Sequence, residues 1–87
     1  MGHRTIREAL AADVEEVTGS SLADASDDTA LVDLDIDSLD LIEVGMMMEE
    51  EFGISLNSDS FEGVATVGAV VATLEAAHAS VAGDRVG

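Results

Sequence analysis

The sequence predicts an all-α domain, a small four-helix bundle with a long first loop and a short third helix. Apolar residues recur at three- and four-residue spacing in separate segments, and Thr or Asp precedes three of those segments as an N-cap would. The hydrophobic share of 47% is enough for a packed core even against a net charge of -16. At 87 residues the chain is one domain near the lower size limit for stable burial, which leaves room for a core and one working surface but not for a deep catalytic cleft. The expected folded unit is residues 5–80, with flexible tails at 1–4 and 82–87.

The first helix is expected from about Thr5 to Thr18. Thr5-Ile6-Arg7-Glu8 reads as a capping box, Ile6, Leu10, Val14 and Val17 repeat on one face, and Gly19 can close the end. A long connection follows from Ser20 to Asp37. Loops of this length in a compact domain are usually functional or pinned, and Leu31, Val32, Leu34 and Ile36 are the residues expected to pin this one. The second helix is expected over Ser38 to Phe52, the short third stretch around Ser58 to Glu62 with Phe61 turned inward, and the last helix over about Val67 to Ala79. Thr66 caps that last helix, and Val67, Val70, Val71 and Leu74 give it a core face.

On the second helix, Leu41, Val44, Met48 and Phe52 share one sector and are the expected core face. Leu39, Ile42 and Met46 form another apolar sector, centred about 150° away, with Glu43 and Glu50 on one side and Glu49 on the other. A helix packed on one side does not need apolar residues on its far side. They are either ordinary surface residues, residues covered by the long loop, or a docking ridge.

Charge narrows the partners. There are 19 acidic residues against three Arg and no Lys, and every acid lies between Arg7 and Arg85. Such a field repels nucleic acid and anionic membranes and attracts basic protein surfaces. A generic acidic or salt-adapted protein would carry the same balance. No Cys is present, so the chain itself has no disulfide, thiolate metal site or thiol nucleophile. No apolar stretch is long enough for a membrane span and the N-terminus has no signal-peptide core, so a cytoplasmic location is the default expectation.

Ser38 is the residue on which function is expected to turn. Asp37 can accept a hydrogen bond from a first-turn amide as an N-cap, which puts Ser38 at the first helical position with its hydroxyl outward. There, the positive end of the helix dipole favours a phosphate ester. Other chemistries fit less well. Asp33, Asp35 and Asp37 match the opening of a calcium-binding loop, but that loop needs Gly at its sixth position and Glu at its twelfth, where this chain has Ser38 and Val44. A nucleophilic serine would need a base, and the candidates His3 and His78 sit near the start of the chain and the end of the last helix; the surroundings of Ser38 are also not a G-x-S-x-G elbow. An acidic nucleic-acid mimic would explain the charge and leave the helix opening at Asp37-Ser38-Leu39 unexplained.

The run from Asp33 to Leu74, DLDIDSLDLIEVGMMMEEEFGISLNSDSFEGVATVGAVVATL, resembles an acyl carrier protein. Asp37-Ser38-Leu39-Asp40, Glu49-Glu50-Glu51-Phe52 and Thr66-Val67-Gly68 match that family's attachment site, the end of its second helix and the start of its last helix. Asp35, where the family usually has Gly, and Gly45, where it usually has a larger apolar residue, depart from the pattern. The resemblance implies a carrier with no catalysis of its own, acting in trans as a monomer. A phosphopantetheinyl transferase would move 4′-phosphopantetheine from coenzyme A to Ser38, flanked by Asp37 and Leu39. Acyl-loading and acyl-processing enzymes with basic surfaces would dock on the second helix, steered by Asp40, Glu43, Glu49 and Glu50 and contacting Leu39, Ile42 and Met46. Gly45 and the flexible Met48 would leave adaptable space for part of a bound chain. The D-S-L context favours fatty-acid or polyketide carriers; a discrete carrier of an aminoacyl or hydroxyacyl unit for a specialised metabolite is the alternative.

Overall fold

The computed structural model describes residues 5–57 and 59–84. It contains three α-helices, α1 (Ile6–Thr18), α2 (Ser38–Phe52) and α3 (Val67–Asp84), and one 3-10 turn, Leu31–Leu34. The starts of these three α-helices carry the caps expected of them. Thr5 Oγ1 accepts from Glu8 N at 3.0 Å while Glu8 Oε1 accepts from Thr5 N at 2.9 Å, and Thr66 Oγ1 accepts from Ala69 N at 3.2 Å. Gly19 and Gly53 end α1 and α2 in the left-handed region, at φ 81° and 66°, where a side chain would be strained.

Ile6, Leu10 and Val14 of α1, Leu41, Val44 and Met48 of α2, and Val67, Val70, Val71 and Leu74 of α3 converge in one core. Leu31 and Ile36 from the long loop join them and Leu34 packs against them, so three of the four aliphatic anchors expected there hold the loop to the core. Leu34 is partly buried, whereas Val32 faces solvent. In a turn with three residues per rotation, Leu31 and Leu34 share a side and the intervening Val32 points away. Backbone bonds fasten the loop to the start of α3: Gly68 N donates to Asp27 O at 2.9 Å, Val67 N to Thr29 O at 3.0 Å and Leu31 N to Ala65 O at 2.9 Å. The approach at Gly68 is so close that a Cβ there would lie 2.8 Å from Asp27 Cβ and 3.0 Å from Asp27 O. Arg7 pairs with the Asp27 carboxylate and ties α1 to the same loop.

Two expectations about helices are corrected. The short third helix is a run of turns over the described residues 59–63; Ser58, its expected first residue, lies outside the described residues. Ser60 N, Glu62 N and Val64 N each bond the carbonyl three residues back. Asn57 Oδ1 takes Asp59 N at 2.9 Å and Ser60 Oγ takes Asn57 N at 2.9 Å. Such local side-chain bonds compete with a helical ladder, and Gly63 at φ 79° closes the run. The last helix, in contrast, continues beyond Ala79 to Asp84. Its Ala-rich stretch is intrinsically helical and carries no stop signal before Gly83. Residues 1–4 and 85–87, which hold most of the expected tails and His3, lie outside the described residues. Among the described residues, no helix is long and apolar enough to cross a membrane.

Candidate functional site

The opening of α2 is built by two aspartates that cap each other. Asp37 Oδ1 accepts from Asp40 N at 2.9 Å, and Asp40 Oδ2 accepts from Asp37 N at 3.2 Å. The first helical bond, Leu41 N to Asp37 O at 3.1 Å, completes the turn. Ser38 follows Asp37 as the first residue of α2 and is exposed. Its hydroxyl is thus held at a fixed helix N-terminus, where the dipole is positive and an anionic ester is favoured. Asp40, expected to face a partner, is half-buried and belongs to this cap. The signal was present as aspartates three apart, the spacing of a capping box with Asp in both roles.

The turn that delivers the chain to Asp37 depends on Asp35. This residue adopts φ 59°, ψ 33°, and its N–H reaches back to the carbonyls of Leu31 and Val32. The left-handed conformation is open to Gly and tolerated by Asp better than by most residues. A Gly-like turn is therefore kept without Gly.

Beside Ser38 runs a groove of about 820 Å³. Its α2 wall is Ser38, Leu41, Ile42, Gly45, Met46 and Glu49, and Val32, Leu56, Phe61 and Val64 contribute to the other side. Ser38, Gly45 and Glu49 lie within about 40° of one another around the helix axis, so the groove follows α2 downward from the serine. A Cβ on Gly45 would lie 3.1 Å from Phe61 Cε2 and 3.4 Å from Leu56 Cδ1. Gly45 thus makes room for the Phe61 ring, which is half-buried as expected.

The two faces of α2 separate clearly. Leu41, Val44 and Met48 are buried, while Phe52 is half-buried at the margin, its ring edge-on to His78 at 5.5 Å between centroids. Leu39, Ile42 and Met46 are 71%, 53% and 57% exposed, so the long loop does not cover them. Val32, 77% exposed, adds a further apolar side chain on the far wall of the groove. Sequence reasoning placed it in the core; the i, i+3 spacing of Leu31 and Leu34 was the signal for its outward position. Glu43 and Glu50 are exposed, whereas Glu49 is half-buried, with Oε2 accepting from Leu56 N at 2.6 Å. Glu49 therefore fastens the segment after α2.

Comparison with known proteins agrees with this arrangement. A family model described as the phosphopantetheine attachment site matches residues 2–74. The meromycolate extension acyl carrier protein of Mycolicibacterium aurum is 37% identical over 67 residues, which cover 76% of this chain and 69% of that protein. An acyl carrier protein of Rhodococcus erythropolis is 38% identical over 63 residues, 71% of this chain and 69% of that one. The crystal structure of an acyl carrier protein from Thermotoga maritima shares the fold, with a TM-score of 0.75 over 92% of this chain and 99% of that chain at 18% identity. With the family model spanning most of its length, and these relatives beside it, the chain belongs to the acyl carrier protein family and carries that family's phosphopantetheine attachment domain.

Proposed function

We propose that Ser38 is the attachment residue, and that the protein carries acyl groups of fatty-acid or polyketide type between separate enzymes without catalysing a reaction itself. The observation that carries this reading is the exposed Ser38 hydroxyl at the reciprocally capped N-terminus of α2, opening onto an apolar groove. In the loading step Ser38 Oγ, losing its proton, attacks the pantetheine-side phosphorus of coenzyme A. The P–O bond to the nucleotide breaks and adenosine 3′,5′-bisphosphate leaves. The attached arm supplies a terminal thiol on which an acyl group is held as a thioester. The chain contributes position: Asp37 and Asp40 fix the helix start, and the α2 dipole favours the anionic phosphodiester. Tethering keeps the intermediate at high effective concentration near each docked enzyme.

Leu39, Ile42 and Met46, with Glu43 and Glu50, form the docking surface in this reading. Exposed apolar residues give contact area, and the carboxylates orient a basic partner. Phosphopantetheinyl transferase and the acyl-loading and acyl-processing enzymes are the partners. The apolar groove favours a hydrocarbon acyl group over an aminoacyl unit. Incubation with coenzyme A, Mg²⁺ and a broad-specificity transferase tests the assignment: one phosphopantetheine should be added to the native chain and none to folded Ser38→Ala. Uptake by Ser38→Ala equal to the native chain would overturn it.

A further inference from the structure

We infer that Met46 is a site of reversible oxidation by hydroperoxides, and that its sulfoxide weakens the docking of partner enzymes while the fold stays intact. The second part rests on the reading of α2 as the docking surface. With no Cys, Trp or Tyr in the chain, methionine sulfur is the most readily oxidised group it offers. Met46, Met47 and Met48 are consecutive on α2, and at about 100° per residue they meet three different surroundings. Met48 is in the core at 0% exposure, Met47 is half-buried and Met46 is 57% exposed. Met46 also lines the groove, so a small oxidant reaches it from the groove as well as from the outer face of the helix. Burial alone therefore ranks three identical thioethers, and the first to react is the one on the apolar ridge with Leu39 and Ile42.

The step moves one oxygen atom. The Met46 thioether attacks one oxygen of a hydroperoxide, the O–O bond breaks, sulfur loses two electrons, and the rest of the peroxide leaves as an alcohol or, from hydrogen peroxide, as water. Methionine sulfoxide reductases reverse it: a dithiol is oxidised to a disulfide and the oxygen leaves as water. The sulfoxide keeps the length of the side chain but places a strong hydrogen-bond acceptor where the ridge was apolar. In the free protein that oxygen is hydrated, because Met46 lies outside the core. Under a docked enzyme it loses its water without a matching donor, which weakens the contact. The same oxygen on Met48 would disrupt the core, but the close packing that makes it disruptive also shields that sulfur.

The test uses the full chain before its arm is attached, so that methionine carries the only sulfur, and hydrogen peroxide as the oxidant. Cleavage after Glu43 and Glu49 releases residues 44–49, in which fragmentation assigns each added oxygen to Met46, Met47 or Met48; Met1 is followed on its own peptide. Met46 should oxidise roughly 10-fold or more faster than Met48, with Met47 between them, and the three rates should converge in denaturant. Transferase kcat/KM should fall on oxidation of Met46 by at least the roughly 3- to 10-fold expected of Met46→Ala. Melting temperature should move by less than about 4 °C. Reductases acting on both sulfoxide epimers should restore transfer. After peroxide, Met46→Leu should keep its own untreated rate, and Met47→Leu should lose rate as the native chain does. Equal oxidation of the three methionines in the folded chain, or unchanged transfer at full oxidation of Met46 when Met46→Ala does lower it, would overturn the inference while leaving docking on α2 intact. Unchanged transfer in both the oxidised chain and Met46→Ala would overturn the docking reading with it.

Discussion

Met46 and Met48 offer the same substitution on opposite faces of one helix. Met48 is fully buried in the core, and Met46 is 57% exposed. Met48→Ala removes core contacts and leaves a cavity, at a cost of about 2–5 kcal/mol. A chain of 87 residues is stable by roughly 4–13 kcal/mol, so this one change consumes a large share of the total. Melting temperature should fall by about 8 °C or more. Met46→Ala loses little burial and gains slightly in helix propensity, so its effect on stability should stay within about 0.5 kcal/mol. Function should show the reverse order. Loss of Met46 from a docking contact should lower transferase kcat/KM by roughly 3- to 10-fold, equivalent to about 1 kcal/mol. Met48→Ala, assayed where it remains folded, should stay within about 2-fold of the native chain, the effect of less than 0.5 kcal/mol. Thermal melts followed by circular dichroism and steady-state transfer kinetics supply both axes. Equal losses of melting temperature at 46 and 48, with transfer insensitive to Met46→Ala, would refute the assignment of faces.

Gly68→Ala should cost about 1–3 kcal/mol despite the better helix propensity of Ala, because its Cβ meets Asp27 backbone and must part the loop from α3; denaturant titration checks it, and a gain in stability would contradict the close approach. Asp35→Gly should be neutral or stabilising by up to about 1 kcal/mol, and Asp35→Val should lose about 1–2 kcal/mol, since φ 59° is strained for a β-branched residue; calorimetry on the pair decides this. With 19 acids against three Arg, added monovalent salt should raise the melting temperature while slowing transferase association, and Glu43→Lys should also slow it. A salt series read by melting and by stopped flow would count against the charge account if neither quantity moved.

Much of the fold was legible because its signals are local. Thr5 with Glu8, Asp37 before Ser38, and Thr66 before Val67 mark three helix starts, and Gly19 marks an end, without reference to tertiary structure. Leu41, Val44 and Met48 declared the core face of α2 through spacing alone. What failed depended on competition or distance. The helix expected at 58–62 gave way to Asn57 and Ser60 side-chain bonds that periodicity does not register. Val32 was assigned by hydrophobicity, whereas its direction follows from a 3-10 turn set by Leu31 and Leu34. Glu49 looked like a surface acid because its acceptor role for Leu56 N joins residues seven apart around a helix end. Of the expected site, Ser38, Leu39, Ile42, Met46, Glu43 and Glu50 are exposed, and Asp40 and Glu49 are half-buried with structural bonds of their own.

The attachment residue is tested most directly on protein purified from its native host, by intact mass followed by peptide mapping. No Lys or Arg occurs between Arg7 and Arg85, so an acid-specific protease must generate the peptides. The account predicts one phosphopantetheine per chain, on the peptide containing Ser38. The same adduct on a peptide containing Ser20, Ser21, Ser55 or Ser60 and lacking Ser38 would contradict it.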